Sequence, residues 1–352
     1  MLKVLTIGPD YRTLKGGIAS VLSVYAKYDR LFKFLPTYSS ENNFKNILLF
    51  PIKYFNILFF LIMHSNYKII HIHGASRISF YRKYFIFLSL KYLLRRKVIY
   101  HIHGGEYHLF KHASNSIVKK MIHHMVEQSN AVLCLSNEWK GFFETQFNPQ
   151  RTIVLNNIIP MPLKKNKTTN GRIIQFLFLG KIVDGKGVFD LINMAYHHKD
   201  YLNDKAKIII GGNGEVDRLQ SEIKRMNIDS IIRYAGWVSG SKKDDLLIDS
   251  DVYILPSYNE GLPISILEAM SYKMPIITTS VGGIPTIVQN NVNGILIQPG
   301  DQETLFEGIK YFIDNIEKIK DYGQASFEIV QDFLPEKVIG DLHNIYVNVL
   351  KD

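Results

Sequence analysis

Short apolar runs, most of them closed by glycine, proline or polar residues, alternate along this chain with longer stretches whose apolar positions recur at helical spacing. In the first half, residues 4–7, 68–74, 98–103, 132–135 and 152–155 read as buried strands, with helices expected at 19–27, 47–63 and 78–97. A polar stretch without periodicity, 164–172, reads as a linker. The alternation then restarts, with strands at 174–179, 207–210, 231–234, 252–255 and 276–279. Helices are expected between them at 188–197, 215–226, 242–248 and 264–272, and a closing helix at 336–350. Two blocks of alternating βα units predict an α/β fold of two doubly wound parallel sheets. The domains are placed at 1–165 and 166–335, with the closing helix, 336–352, free to pack back on the first. Ligands of such sheets bind at the carboxyl ends of the strands, so two facing sheets would put a site in the cleft between the domains.

Two segments of the first half stand out. Residues 47–63 are almost wholly apolar, but Pro51, Lys53 and Asn56 interrupt them. They fall short of the roughly 20 apolar residues a membrane span needs. That composition favours a core-packed helix over partial membrane contact. Residues 78–97 mix Phe80, Tyr84, Phe87 and Leu90 with Arg82, Lys83, Lys91 and Arg95. This reads as a core helix with a solvated basic edge, a reading compatible with membrane binding.

Composition sharpens the division. The net charge of +10 is unevenly placed: residues 1–165 hold 23 Lys and Arg against 7 Asp and Glu, and the remainder 19 against 25. A basic half joined to an acidic half implies different partners for each. Nucleic acid and an anionic membrane surface both suit the basic half. The single cysteine, Cys134, permits no internal disulfide and fits a reducing cytoplasm. The first eight residues read as a strand, being too quickly broken for a signal peptide.

The densest chemistry lies in 257–270, where Glu260 and Glu268 stand eight positions apart around an expected helix start. Gly261 opens the turn and Pro263 suits the first helical position. Glu268 then lies roughly 7–8 Å along the helix axis from Pro263. The unpaired backbone N–H groups between the two carboxylates favour an anion. A nucleotide sugar, with its hydroxyl-rich ends and charged centre, matches such a site. Gly180-Lys181-Ile182-Val183-Asp184-Gly185-Lys186-Gly187 places two ammonium groups in a glycine-rich loop that could hold a phosphate, or could be an ordinary βα turn. Gly211-Gly212-Asn213-Gly214, Gly16-Gly17 and Gly282-Gly283 are weaker glycine turns. His103 ends a strand beside Gly104-Gly105. The pairs His71/His73 and His101/His103 each share one strand face, which invites a metal. No carboxylate or cysteine cluster accompanies them, and adjacent parallel strands produce the same echo without one. Asp249-Ser250-Asp251 is better suited to a helix end than to a cation.

Together these pieces resemble a family. Glu260 and Glu268, with seven residues between them, are similar to the EX7E motif of retaining GT-B glycosyltransferases of family 4. Gly180-Lys181 with Lys186-Gly187 resembles that family's diphosphate clamp, Gly212 and Gly214 its GxGE turn, and Gly16-Gly17 its N-terminal glycine loop. Asn157, Ile159 and Thr286 depart from the pattern at the linker and at the late glycine loop. The resemblance implies two Rossmann-like domains, no required metal or cofactor, and retention at the anomeric carbon. It implies that Lys181 and Lys186 bind the diphosphate and stabilise the leaving group, that Glu260 holds the donor hexose, and that Glu268 bonds the ribose. The backbone N–H groups of Leu262, Ile264 and Ser265, after Gly261, would touch phosphate or sugar. His103 would lie near the reaction centre, and Gly17 would admit the diphosphate. The expected activity is hexose transfer from a UDP- or GDP-sugar, UDP favoured, to a glycan or polyprenyl-linked saccharide. The expected setting is bacterial surface-polysaccharide assembly at the cytoplasmic face of the plasma membrane. A soluble glycosyltransferase acting on a metabolite and a non-catalytic nucleotide- or carbohydrate-binding protein are the alternatives. Nucleic acid is disfavoured, because the basic residues edge apolar helices.

Overall fold

The computed structural model describes residues 2–14, 16–40, 42–76, 78–103, 107–163 and 173–351. The polar stretch 164–172, read above as a linker, and Gly104-Gly105 lie outside the described residues. The chain divides into two compact units, Met1–Ile159 with Asp332–Asp352, and Pro160–Gln331.

The first unit is built on six strands: β1 (Val4–Pro9), β2 (Lys33–Tyr38), β3 (Ile69–Gly74), β4 (Lys97–Ile102), β5 (Ala131–Cys134) and β6 (Thr152–Val154). They pair in the order β2-β1-β3-β4-β5-β6, and every pairing is parallel. Helices α1 (Gly17–Tyr28), α2 (Asn43–Met63), α3 (Ile78–Leu88), α4 (Tyr107–Ala113), α5 (Ser116–Gln128) and α6 (Asn137–Gln146) connect them. Leu5, Ile7, Ile70, Ile72, Val98 and Tyr100 are fully enclosed in its core. Each such side chain contributes about 1.5–3 kcal/mol relative to exposure. β2 was not legible in the sequence because Pro36 interrupts it; it lies at the sheet edge, where a missing N–H is tolerated.

Two expectations for this unit need correction. α2 is not packed into the core all round: it has one buried stripe, while Phe44, Phe55, Phe59 and Met63 stand more than 60% exposed. Helical periodicity cannot tell a covered apolar face from an uncovered one. The basic edge of 78–97 is not wholly solvated either. Arg82 and Lys83 are buried, and the helix gives way after Leu88 to a π-helical turn, Ser89–Leu93.

The second unit holds β7 (Ile174–Leu179), β8 (Ala206–Gly211), β9 (Ile232–Gly236), β10 (Val252–Leu255), β11 (Ile276–Thr279) and β12 (Gly294–Ile297). Their order is β12-β11-β10-β7-β8-β9, again all parallel. Its helices are α7 (Val188–His197), α8 (Lys199–Leu202), α9 (Val216–Met226), α10 (Ser241–Asp249), α11 (Ile264–Ser271), α12 (Gln302–Asp314) and α13 (Ile316–Ile329). The last helix, α14 (Pro335–Lys351), belongs to the first unit and packs on α1. In the second sheet β7, first in sequence, lies between β8 and β10, so the strand order reverses there. This is the topological switch point at which doubly wound sheets form a ligand crevice.

Candidate functional site

The chain leaving β7 and the chain leaving β10 meet at that switch point. After β7 come Gly180, Lys181 and a short 3₁₀ turn, Asp184–Lys186. After β10 come Ser257, Glu260 and Gly261, followed by α11. Tyr253 on β10 donates its hydroxyl to the Leu179 carbonyl at 2.9 Å, tying the two strand ends together. Lys186 Nζ lies 2.5 Å from Glu260 Oε1, and Ser257 Oγ donates to the same oxygen at 2.8 Å. Glu260 is 9% exposed, so its carboxylate needs these partners.

Two glycines set this geometry. Gly212 approaches so closely that a Cβ would run into the Gly180 carbonyl, and the nearby Ile182 N–H reaches the Asn213 carbonyl at 2.7 Å. The turn after β8 is thereby pressed against the lysine loop. Gly282 takes φ +53°, and a Cβ there would strike the Glu260 carbonyl. The Gly283 N–H holds the Gly261 carbonyl at 2.7 Å, so the 282–283 turn buttresses the glutamate loop from behind.

Glu268 stands on the buried face of α11, and Lys243 of α10 meets it at 2.5 Å. Pro263 is the residue capping α11, one position before the expected place, and no side chain caps the helix start. The first-turn N–H groups are thus left for an incoming anion. Of the expected site residues, Gly180, Lys181, Lys186, Gly212, Gly214, Glu260, Gly261, Leu262, Ile264, Ser265 and Glu268 gather at the carboxyl ends of β7, β8 and β10. Gly16, Gly17 and His103 belong to the first unit. Lys243 and Ser257 escaped the sequence reading. Ser257 borders the glutamate motif, but no local pattern singles it out; Lys243 comes from a different helix.

In the first unit, β3 and β4 set four imidazoles on one sheet face. His73 Nδ1 shares a hydrogen bond with His103 Nε2 at 2.8 Å, and His71 Nε2 with His101 Nδ1 at 3.2 Å. His71 Nδ1 meets the Tyr346 hydroxyl at 2.7 Å. Burial, followed by the charge of Lys83, holds His103 at about 3, and burial holds His71 at about 3 as well. His73 and His101 lie well below the ordinary range for the same reason. All four are therefore neutral at pH 7. Possible ligand atoms of His71, His73 and His101 lie within 4.8 Å of one another.

Comparison with known proteins places this geometry. Residues 162–328 match the family model for group 1 glycosyl transferases. A glycosyltransferase of Methanocaldococcus jannaschii is 25% identical over 72% of this chain and 70% of its own length. TuaC of Bacillus subtilis, a glycosyltransferase assigned to teichuronic acid biosynthesis, is 26% identical over 71% of this chain and 61% of its own length. The crystal structure of HepE from Anabaena in complex with UDP-glucose superimposes with a TM-score of 0.77 at 16% identity, covering 100% of both chains. The fold is GT-B, and the match to the group 1 glycosyl transferase model lies within the second unit.

Proposed function

We propose that the chain is a retaining, metal-independent glycosyltransferase that moves a hexose from a UDP-sugar to a glycan or polyprenyl-linked saccharide at the inner face of the plasma membrane. The observation that carries this reading is the Lys186–Glu260 pair, set across the switch point beside an uncapped helix start. That arrangement joins cations and N–H donors for a diphosphate to carboxylates for sugar hydroxyls. The similarity to TuaC supports surface-polysaccharide assembly, and the UDP-glucose complex of the HepE fold supports a uridine nucleotide.

In this mechanism Lys181, Lys186 and the first-turn N–H groups of α11 take the diphosphate. They stabilise the charge that develops on it as the glycosidic bond to the leaving group breaks. Glu260 holds the hexose hydroxyls and Glu268 those of the ribose. A divalent cation among His71, His73 and His101 would be buried close to Lys83, whose charge already acts on His73. His71 is bonded at both ring nitrogens, to Tyr346 and to His101, and His73 is bonded to His103.

The test is calorimetric binding of UDP, GDP and ADP in EDTA, followed by donor turnover and NMR of the product's anomeric configuration. Tight binding of one nucleotide that is lost in Lys186→Ala, with retained configuration, is expected. Binding to none of them sinks the reading, and an inverted product sinks its stereochemical part.

A further inference from the structure

α2 carries an apolar stripe that none of the described residues of its unit covers. Phe44, Leu48, Ile52, Phe55, Phe59 and Ile62 recur at helical spacing, each between 58% and 68% exposed. The opposite stripe is fixed: Ile57 and Leu61 are buried, Tyr54 shares a hydrogen bond with Ser89, and Arg96 donates to the Leu61 carbonyl at 3.0 Å. The neighbouring π-helical turn adds Tyr92 and Leu93, 53% and 70% exposed. A continuous apolar face of this kind marks a docking surface rather than ordinary scatter.

Charge identifies the occupant. Residues 42–105 contain ten Lys and Arg and no Asp or Glu; Arg82 and Lys83 among them are buried, while Lys45, Lys68 and Arg95 are exposed. A second copy docked face to face on α2 would bring two such cationic segments together, whereas anionic lipid headgroups neutralise them. Length and composition alone would let Phe44–Met63 cross a bilayer. The inner stripe, bonded along the helix to its own unit, makes α2 lie on a membrane instead.

We propose that α2 lies in the headgroup plane of an anionic bilayer, its outer stripe sunk into the acyl boundary and the basic residues around it at the phosphates. This rests on the membrane part of the reading above and is independent of the donor chemistry. It names the element that makes the contact.

The experiment is flotation of the full chain with vesicles of phosphatidylcholine, with and without phosphatidylglycerol, alongside light scattering without lipid. Wild type is expected to float with the anionic vesicles and less so as salt rises. Phe55→Ser with Phe59→Ser should weaken this by about tenfold per side chain removed. Both positions are exposed, so the fold should survive. A separate Phe59→Trp chain should have its indole fluorescence quenched by lipids brominated near the headgroup boundary. Equal flotation of the double variant, or an unquenched indole in the Phe59→Trp chain on bound vesicles, overturns the proposal. So does a lipid-free dimer that the double variant breaks, in a protein that binds no vesicle. UDP binding in the same samples reports separately on the donor site.

Discussion

Replacing Glu260 by glutamine separates two roles that a simple binding pocket would merge. In the free protein, Lys186 Nζ is held 2.5 Å from the Glu260 carboxylate. A diphosphate oxygen that took the same ammonium as partner would stand roughly 5 Å from that carboxylate, a repulsion of about 3 kcal/mol at an effective dielectric of ~20. Lys186 is 29% exposed at its side chain. Screening at such a site reduces the net effect to about 1 kcal/mol, or roughly fivefold in affinity. Glu260→Gln should therefore tighten UDP by about that factor. Transfer should fall, because the donor hexose loses a charge-assisted hydrogen bond worth about 1.5–3 kcal/mol, roughly 10- to 100-fold in rate. Glutamine keeps an acceptor for Ser257 Oγ, now 2.8 Å from Glu260, so the loop should hold its shape. Calorimetry of UDP in EDTA and initial transfer rates on the same preparations read the two effects, with thermal unfolding as the control for folding. UDP binding that weakens in a folded variant, or transfer that survives intact, would refute the assignment of both side chains.

Three further outcomes follow from the same geometry. The four clustered histidines titrate below their unfolded value of about 6.5, so the stability they contribute is complete above that pH and is lost as pH falls below it. By pH 5.5 the loss is on the order of 1 kcal/mol for each; urea unfolding that is unchanged between pH 7.5 and 5.5 would contradict it. Gly282→Ala forces a Cβ against the Glu260 carbonyl at positive φ, and should cost about 1–3 kcal/mol and reduce transfer, as read from the melting temperature and donor turnover. Lys243→Met leaves Glu268, 6% exposed, without its ion-pair partner; the donor KM should rise about tenfold with kcat nearly kept, and an unchanged KM would detach Glu268 from the ribose.

What the sequence disclosed depended on how local each feature is. The strands of both sheets are mostly short apolar runs closed by turn residues, and those can be seen in a window of ten. Lys186 and Glu260 could be picked out separately because each borders a strand end. Their contact, 74 residues apart, follows from β7 and β10 being neighbours. Lys243 gave no signal, since its meeting with Glu268 depends on how α10 lies beside α11. The two His-x-His pairs announced a shared face, but not that the imidazoles would bond to one another across β3 and β4. α2 misled for a related reason. A helix apolar on every side satisfies the pattern of a buried element, and only its neighbours decide which stripe is covered.

The pairing of both glutamates with lysines also bears on how a ligand arrives. Two nearly buried carboxylates could not stand alone at the switch point, so each holds an ammonium before any diphosphate is present. Lys181 differs: it is exposed and makes no ion pair among the described residues. In the proposed site it is the cation an approaching diphosphate would meet first, and Lys186 the one that would divide itself between ligand and Glu260. Long-range attraction by an exposed charge acts on association, whereas a partly enclosed partner acts on dissociation and turnover. Stopped-flow binding of UDP should accordingly show Lys181→Ala slowing association by about two- to fivefold with a flatter dependence on salt. Lys186→Ala should raise the dissociation rate and lower turnover at nearly unchanged association. Equal changes in both rate constants for both variants would mean that the lysines act as one interchangeable patch, and the division of labour drawn from their burial would fail.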